Sequence, residues 1–480
     1  MQSMNLELTL IMPELIIASA ICLLILVNSF LTSEKRYTGL IIGSITMAAC
    51  ALISMVFLIE TTNSSIFNNH YRIDPLSTGL KFTTYLISLF IFIGTKTNKE
   101  NTKSELVLLE LFAILGVSIL ASSNNLLTLY LGLETLTLSM YGLVASKRSS
   151  EIATESAMKF FILGAIASAI FLYGVSFIYG LHGTLFFDQF NNETINSSIE
   201  MQLALAFIIC GIAFKFGAVP FHSWVPDTYQ GASTSSALFI STIPKLGAFA
   251  LIYRLLYEAF IANAEFWSLL ILLLGLLSLI LGNIIAIVQD NLRRILGYSA
   301  VGHIGFILIA LSTGSTDGAI AALVYLVIYI LMTATAFMSI EVISTEERAV
   351  VTLTDIKDLN STHPWISLII LFSMFSMVGI PPFLGFYAKW IILSELINTD
   401  MLIIALIGII ISVIAAFYYL RIVWYMYFEK SELPIMQGSA NIFQKTSISV
   451  VGLSILLLGL YPSPIMDFCR SIISPFLLID

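Results

Sequence analysis

Gly217-Ala218-Val219-Pro220-Phe221 and Gly379-Ile380-Pro381-Pro382-Phe383 both read Gly-x-x-Pro-Phe, and each interrupts an apolar run long enough to cross a bilayer. Proline removes a backbone donor and its ring clashes with the preceding turn. In lipid the carbonyls it frees must find partners in protein or in a water-lined cavity. A matched pair of interrupted helices is the sequence pointer to a repeated transport fold whose site lies beside the breaks.

On either side of the breaks the chain divides into fourteen apolar spans, at about 8–31, 38–60, 75–95, 105–121, 126–146, 156–181, 201–222, 233–258, 266–289, 294–312, 318–343, 364–397, 401–428 and 447–469. Pro220 lies in the seventh span, and Pro381 and Pro382 in the twelfth. That offset of five makes spans 4–8 and 9–13 two five-helix repeats, and an odd offset inverts one relative to the other. The expected architecture is an all-α polytopic membrane protein with discontinuous helices 7 and 12. Its parts are an N-terminal three-helix segment (1–104), the repeats (105–258 and 266–428) and a C-terminal helix (429–480), all one membrane domain.

Composition agrees. Of 480 residues 58% are hydrophobic and only 11% are Asp, Glu, Lys or Arg, against about 25% in soluble domains. A water-soluble surface could not be covered by so few charges. No basic arm suits a nucleic acid. Cys22, Cys50, Cys210 and Cys469 stand apart with no CxxC spacing, so neither a metal site nor a disulfide framework is expected. No Gly-rich phosphate loop or nucleophile elbow occurs, and no cysteine set could hold an iron–sulfur cluster. The first apolar run is long enough to remain a membrane helix, so no cleaved presequence is expected.

Basic residues orient the spans. Odd-numbered connections carry Lys35, Arg36, Lys96, Lys99, Lys103, Lys147, Arg148, Arg293, Arg294, Arg348, Lys357, Lys430 and Lys445. Even-numbered connections carry Arg72 and little else, and the sixth holds Asp188, Glu193 and Glu200. The odd connections are therefore expected to face the cytoplasm or matrix, with both termini on the opposite, positive side.

Four charges fall inside apolar spans: Glu134, Lys215, Lys245 and Lys389. Each costs roughly 3 kcal/mol at a bilayer centre, on the order of 10 kcal/mol together, so function or pairing is expected. Desolvation disfavours a buried ammonium and a nearby carboxylate restores it. Glu134 beside Lys215 would thus form a switchable protonation site, with lysine suited where an always-charged arginine is not. A static ion pair would explain one lysine but not three in separate spans. Glu110 reads either as a second acid near Glu134 or as an interface residue. His303 reads as a proton relay or as a hydrogen-bonded core histidine. His222 and Asp227 read as a turn after the first break rather than a proton exit. Lys81, Lys159, Glu155 and Glu341 are assigned to snorkelling at span ends.

The stretch from Lys215 through Pro220 to Pro226-Asp227, followed by Tyr229-Gln230-Gly231-Ala232, resembles the most specific motif of the antiporter-like membrane subunits of respiratory complex I. Arg293-Arg294-Ile295-Leu296-Gly297-Tyr298-Ser299, with His303 and Gly305, resembles another. With Leu131–Glu134 and the Gly-Ile-Pro-Pro segment these cover spans 5 to 12, and the length fits end to end. Lysine at position 389 in the twelfth span, and a chain ending at Asp480 without a long lateral helix, select one branch of the family. The resemblance implies an ion pair at Glu134 and Lys215, a connecting Lys245 and a terminal Lys389 on the exit path. It also implies partners among the other membrane-arm subunits and membrane lipids. NADH, FMN, iron–sulfur clusters and quinone would be bound in other subunits, with no cofactor in this chain. The implied location is the mitochondrial inner membrane, or alternatively a bacterial plasma membrane. Rival readings are a subunit of a multi-subunit cation/proton antiporter, the homologous subunit of a ferredoxin–plastoquinone complex, and a scaffold that no longer conducts.

Overall fold

The computed structural model describes residues 7–30, 36–95, 105–147, 150–190, 195, 198–344, 350–430 and 440–473. Lys35, Lys96, Lys99, Lys103, Arg148, Glu193, Arg348 and Asp480, used above for orientation and length, lie outside the described residues. Among the described residues, thirteen helices are long and apolar enough to cross a membrane. The twelfth span is not among them, because its break divides it into two shorter helices, Pro364–Val378 and Leu384–Asn398. Helix is the expected solution, because each segment then satisfies its own backbone groups where no water can.

The chain opens with α1 (Met12–Phe30) and α2 (Arg36–Ile59). An antiparallel ribbon of β1 (Ser64–Ile66) and β2 (Tyr71–Ile73) follows, with Ser65 opposite Arg72. It departs from the all-α expectation: a polar connection outside the apolar runs can pair its own strands. Helix α3 (Pro75–Gly94) starts with a capping box on Asp74 and proline in its first turn. The first repeat is α4 (Glu105–Ser122), α5 (Leu126–Val144), α6 (Glu151–His182), the broken pair α7 (Ile199–Phe216) and α8 (Trp224–Gly231), and α9 (Thr234–Ile252). The second is α10 (Ala264–Ile287), α11 (Leu292–Leu311), α12 (Thr316–Ile343), the broken pair α13 (Pro364–Val378) and α14 (Leu384–Asn398), and α15 (Leu402–Tyr427). Helices α16 (Ile442–Leu460) and α17 (Ser463–Ile473) close the chain.

Two boundaries differ from expectation. The sixth span starts at Glu151 rather than 156, because Ser150 caps it and its first turn is polar. The last span ends at Leu460 rather than 469, because Pro462 cannot continue the ladder; α17 is a separate helix.

The repeats share two devices. In each, the first two helices meet through glycine: a Cβ on Gly116 would lie 2.6 Å from the Leu136 nitrogen, and one on Gly305 2.5 Å from that of Leu279. Small residues at such crossings let membrane helices pack closely. In each, a left-handed glycine ends the first half of the broken helix, Gly217 at φ 79° and Gly379 at φ 91°. The Gly217 N–H donates to the carbonyls of Ala213 and Phe214, and that of Gly379 to Phe375 and Ser376. Val219-Pro220 and Pro381-Pro382 are cis. Helices α9, α11 and α12 are buried along nearly their whole length, while α1, α6 and α15 lie outside them.

Candidate functional site

The groups freed by the breaks are met by side chains. The Val219 N–H donates to Ser278 Oγ at 2.8 Å, and Trp224 Nε1 donates to the Phe214 carbonyl at 3.0 Å. Lys245 Nζ donates to the Phe216 carbonyl at 2.8 Å, and Lys389 Nζ to the Val378 carbonyl at 2.7 Å. Two of the buried lysines therefore sit on carbonyls at the ends of interrupted helices, where partial negative charge accumulates. Lys245 also lies over the Trp224 ring (5.3 Å) and Lys389 over Phe306 (5.7 Å).

Glu134 and Lys215 do not touch directly. Lys215 Nζ donates to Thr137 Oγ1 at 3.0 Å and to Ser168 Oγ at 3.2 Å, and Ser168 Oγ donates to Glu134 Oε1 at 2.6 Å. Ser168, buried on α6, is the middle of a lysine–hydroxyl–carboxylate relay. Sequence reading placed the charged ends but missed the hydroxyl, since serine in an apolar span carries no distinguishing signal. A gap no larger than about one water molecule is lined by Thr137, Lys215, Trp224 and Pro244, the residue before Lys245.

His303 is buried on α11 between two tyrosines. Its Nδ1 is 2.8 Å from the Tyr325 hydroxyl and its Nε2 2.9 Å from that of Tyr419, which also hydrogen-bonds Ser299. Both nitrogens are thus engaged, as a relay requires and as a satisfied core histidine also would be. The Tyr329 ring lies 5.2 Å from the same imidazole, tilted by 45°, and neighbours Tyr229 on α8. These aromatic hydroxyls lie between the first break and Lys389, whose neighbour Phe306 is one turn from His303.

Glu110 is buried on α4. Leu109 packs where a Cβ on Gly142 would be, whereas Gly116 meets Leu136. Glu110 therefore lies about two turns from Glu134 along the helix axes, nearer the odd connections, and not at its side. His222 forms a turn, its carbonyl accepting from Val225 N–H at 2.9 Å. Asp227 binds Arg294 at 2.7 Å and Lys159 at 3.1 Å, which ties the segment after the break to α11 and α6.

Two assignments to snorkelling are corrected. Lys81 is buried and 2.6 Å from Glu14, because α3 is enclosed by α2, α4 and α16. Glu341 is buried near the end of α12, a helix covered on all sides. Lys159 and Glu155 do pair at an exposed site, 2.8 Å apart. A further network escaped sequence reading: fully buried Arg254 donates to Asp74 at 2.8 Å, to Glu258 at 2.7 Å and to the Ala121 carbonyl at 2.7 Å.

Residues 123–415 match the family described as NADH:quinone oxidoreductase/Mrp antiporter, transmembrane region. The NADH-quinone oxidoreductase subunit N of Herminiimonas arsenicoxydans is 38% identical over 98% of both chains. That of Thioalkalivibrio sulfidiphilus is 38% identical over 97% of this chain and 98% of its own. Among solved structures, a chain of Thermus thermophilus respiratory complex I superposes with a TM-score of 0.82 at 28% identity, covering 95% of this chain and 98% of that one. A chain of the Mrp complex from a Dietzia species shares the fold, with a TM-score of 0.84 at 19% identity over 97% of each. The chain belongs to the NADH:quinone oxidoreductase/Mrp antiporter family of membrane subunits.

Proposed function

We propose that this chain is the subunit N (subunit 2) component of a respiratory NADH:quinone oxidoreductase and moves protons across the membrane. The observation that carries the reading is the Lys215–Ser168–Glu134 relay, with Lys245 and Lys389 on the carbonyls of the two helix breaks. A proton passing from Lys215 to Ser168, while Ser168 passes its own to Glu134, converts an ion pair into two neutral groups. In a low-dielectric interior these two states lie close in energy, because desolvation opposes the charges that attraction favours. Small movements of α6 would tip the balance. The water-sized gap beside Pro244 connects the relay toward Lys245. The Tyr229, Tyr329 and His303 groups extend the polar thread toward Lys389. NADH oxidation and quinone reduction would occur in other subunits and supply the driving force, with the other membrane-arm subunits and lipids as neighbours. The odd connections would face the matrix or cytoplasm of an energy-coupling membrane, the mitochondrial inner membrane or a bacterial plasma membrane, with both termini on the positive side.

The first test is a native gel of mildly solubilised membranes. The chain is expected in a large band that oxidises NADH; migration apart from that activity would favour the antiporter reading. In the purified complex, Lys215→Met is expected to abolish or sharply lower proton pumping while assembly persists. Normal pumping stoichiometry in that variant would remove the relay from the mechanism.

A further inference from the structure

The donor order of the central relay occurs a second time, outside both repeats. Lys81 Nζ donates to the Tyr71 hydroxyl at 3.1 Å, and Tyr71 donates to Glu14 Oε1 at 2.7 Å. Here the lysine also reaches the carboxylate directly, at 2.6 Å. All three residues are buried, at 3%, 7% and 9% exposure for Lys81, Tyr71 and Glu14. Glu14 Oε2 has no hydrogen-bond partner, nor has Ser88 Oγ two turns along α3 from Lys81, nor Ser54 Oγ on α2. Buried polar atoms left so mark a place for ordered water or a chemical role.

The cluster continues inward. Tyr85, one turn beyond Lys81, shares a hydrogen bond of 2.8 Å with Ser118 on α4. The glycine contacts of α4 and α5 set the depth. Gly116 lies against the backbone of Gly132 and Leu136, and Gly132 against Leu120 and Gly116, so Ser118 stands level with Gly132, about half a turn from Glu134. The polar line therefore runs from the even-connection face, where Tyr71 and the start of α3 lie, to the depth of the central relay on the far side of α4.

We propose that Glu14, Tyr71 and Lys81 form a second proton-exchange site, opening to the face of the even connections and working in parallel with the central chain. It rests on the reading above only in placing that face on the positive side. A proton leaves the Lys81 ammonium for the Tyr71 oxygen as the Tyr71 proton moves to Glu14. The products are a neutral amine, an intact phenol and a carboxylic acid. Release of the Glu14 proton to water, followed by uptake of another proton by the neutral Lys81 amine, regenerates the ion pair. The titratable groups facing Glu14 are Tyr71 from β2, Lys81 and Tyr85 from α3, and Cys50 from α2. Helix α4 contributes only the hydroxyls Ser118 and Ser122, and α17 presents apolar Ile472 to Gly79. Burial and the neighbouring carboxylate hold the Tyr71 phenol well above its usual range, so it serves as a carrier and not as a resting anion.

The test uses the whole complex in proteoliposomes, with positive-side pH varied at fixed pH on the other side. Tyr71→Phe keeps packing and the direct ion pair but breaks the hydroxyl path; Glu14→Gln removes the titrating carboxyl. Both are expected to retain NADH oxidation when uncoupled. Their coupled turnover should shift its positive-side pH profile by about one unit. The charge exchange Glu14→Lys with Lys81→Glu is expected to keep assembly but not the wild-type profile. Wild-type profiles and pumping ratios in Tyr71→Phe and Glu14→Gln would overturn the proposal and leave a structural ion pair. So would an exchange variant restored in every respect. Lys215→Met, run alongside, reports on the central relay separately.

Discussion

At Ser168 a hydroxyl does what neither charge can do alone, because it accepts from Lys215 and donates to Glu134 at once. Ser168→Ala leaves both charges in place with no bridge between them. It is expected to slow proton transfer by about a hundredfold, the usual contribution of one positioned transfer group, with assembly intact; pumping per NADH in proteoliposomes measures it. Glu134→Gln keeps an acceptor for Ser168 and is expected to be milder than Glu134→Ala. Equal pumping by wild type and Glu134→Ala would exclude Glu134 from the path. The charged residues of the site were legible in the sequence because each is expensive in lipid and stands out against apolar neighbours. Ser168 and Thr137 were not legible, since a membrane helix can hide a hydroxyl by bonding it to its own backbone. Lys81 and Glu341 show the converse. Their positions near span ends suggested a reach to the surface, and only the packing of neighbouring helices shows there is none.

The broken helices were legible as elements because proline and glycine act through the backbone, which the sequence states directly. Their partners were not, since Ser278, Lys245 and Ser376 come from distant segments or carry no local signal. Gly217 makes the argument testable. It takes φ 79°, and a Cβ there would sit 2.4 Å from Val225 Cγ2. Gly217→Val combines left-handed strain of about 1–2 kcal/mol with an overpacked contact costing about 1–3 kcal/mol. It is expected to lower the amount of assembled complex on native gels. An unchanged amount would mean the α7–α8 junction can re-form elsewhere. The glycines of α11 carry a related lesson. They dilute the apolar signal of the tenth span because neighbours approach them closely: α10 lies against Gly302 and Gly305, and Pro226 of α8 against Gly297.

Across the whole molecule, two sets of buried polar groups stand out from the ion pairs at the odd connections: a thread at the depth of the helix breaks, and clusters under the even-connection face. The second set is built around Arg254, in the wider helical turn Tyr253–Ala259 that continues α9, which bonds Asp74 at the start of α3, the Ala121 carbonyl at the end of α4, and Glu258. It thereby fastens the N-terminal three helices to the first repeat, whereas Arg421 in the second repeat bonds the Gln289 carbonyl and Asp290 just past the end of α10. No periodicity or motif announces it, because its members lie far apart in sequence and each reads alone as an ordinary span-end charge. Arg254→Met would leave Asp74 and Glu258 buried without their cation. Breaking one partner from such a set costs about 3–5 kcal/mol, more than the static pairs at the surface are worth. The solubilised complex is therefore expected to melt at lower temperature in this variant. The loss should be larger than for Lys159→Met, which removes an exposed pair. The central relay lies outside this network, so pumping per NADH in the surviving complex should match wild type. Equal melting temperatures for the two variants would mean that the N-terminal helices are held by apolar packing alone.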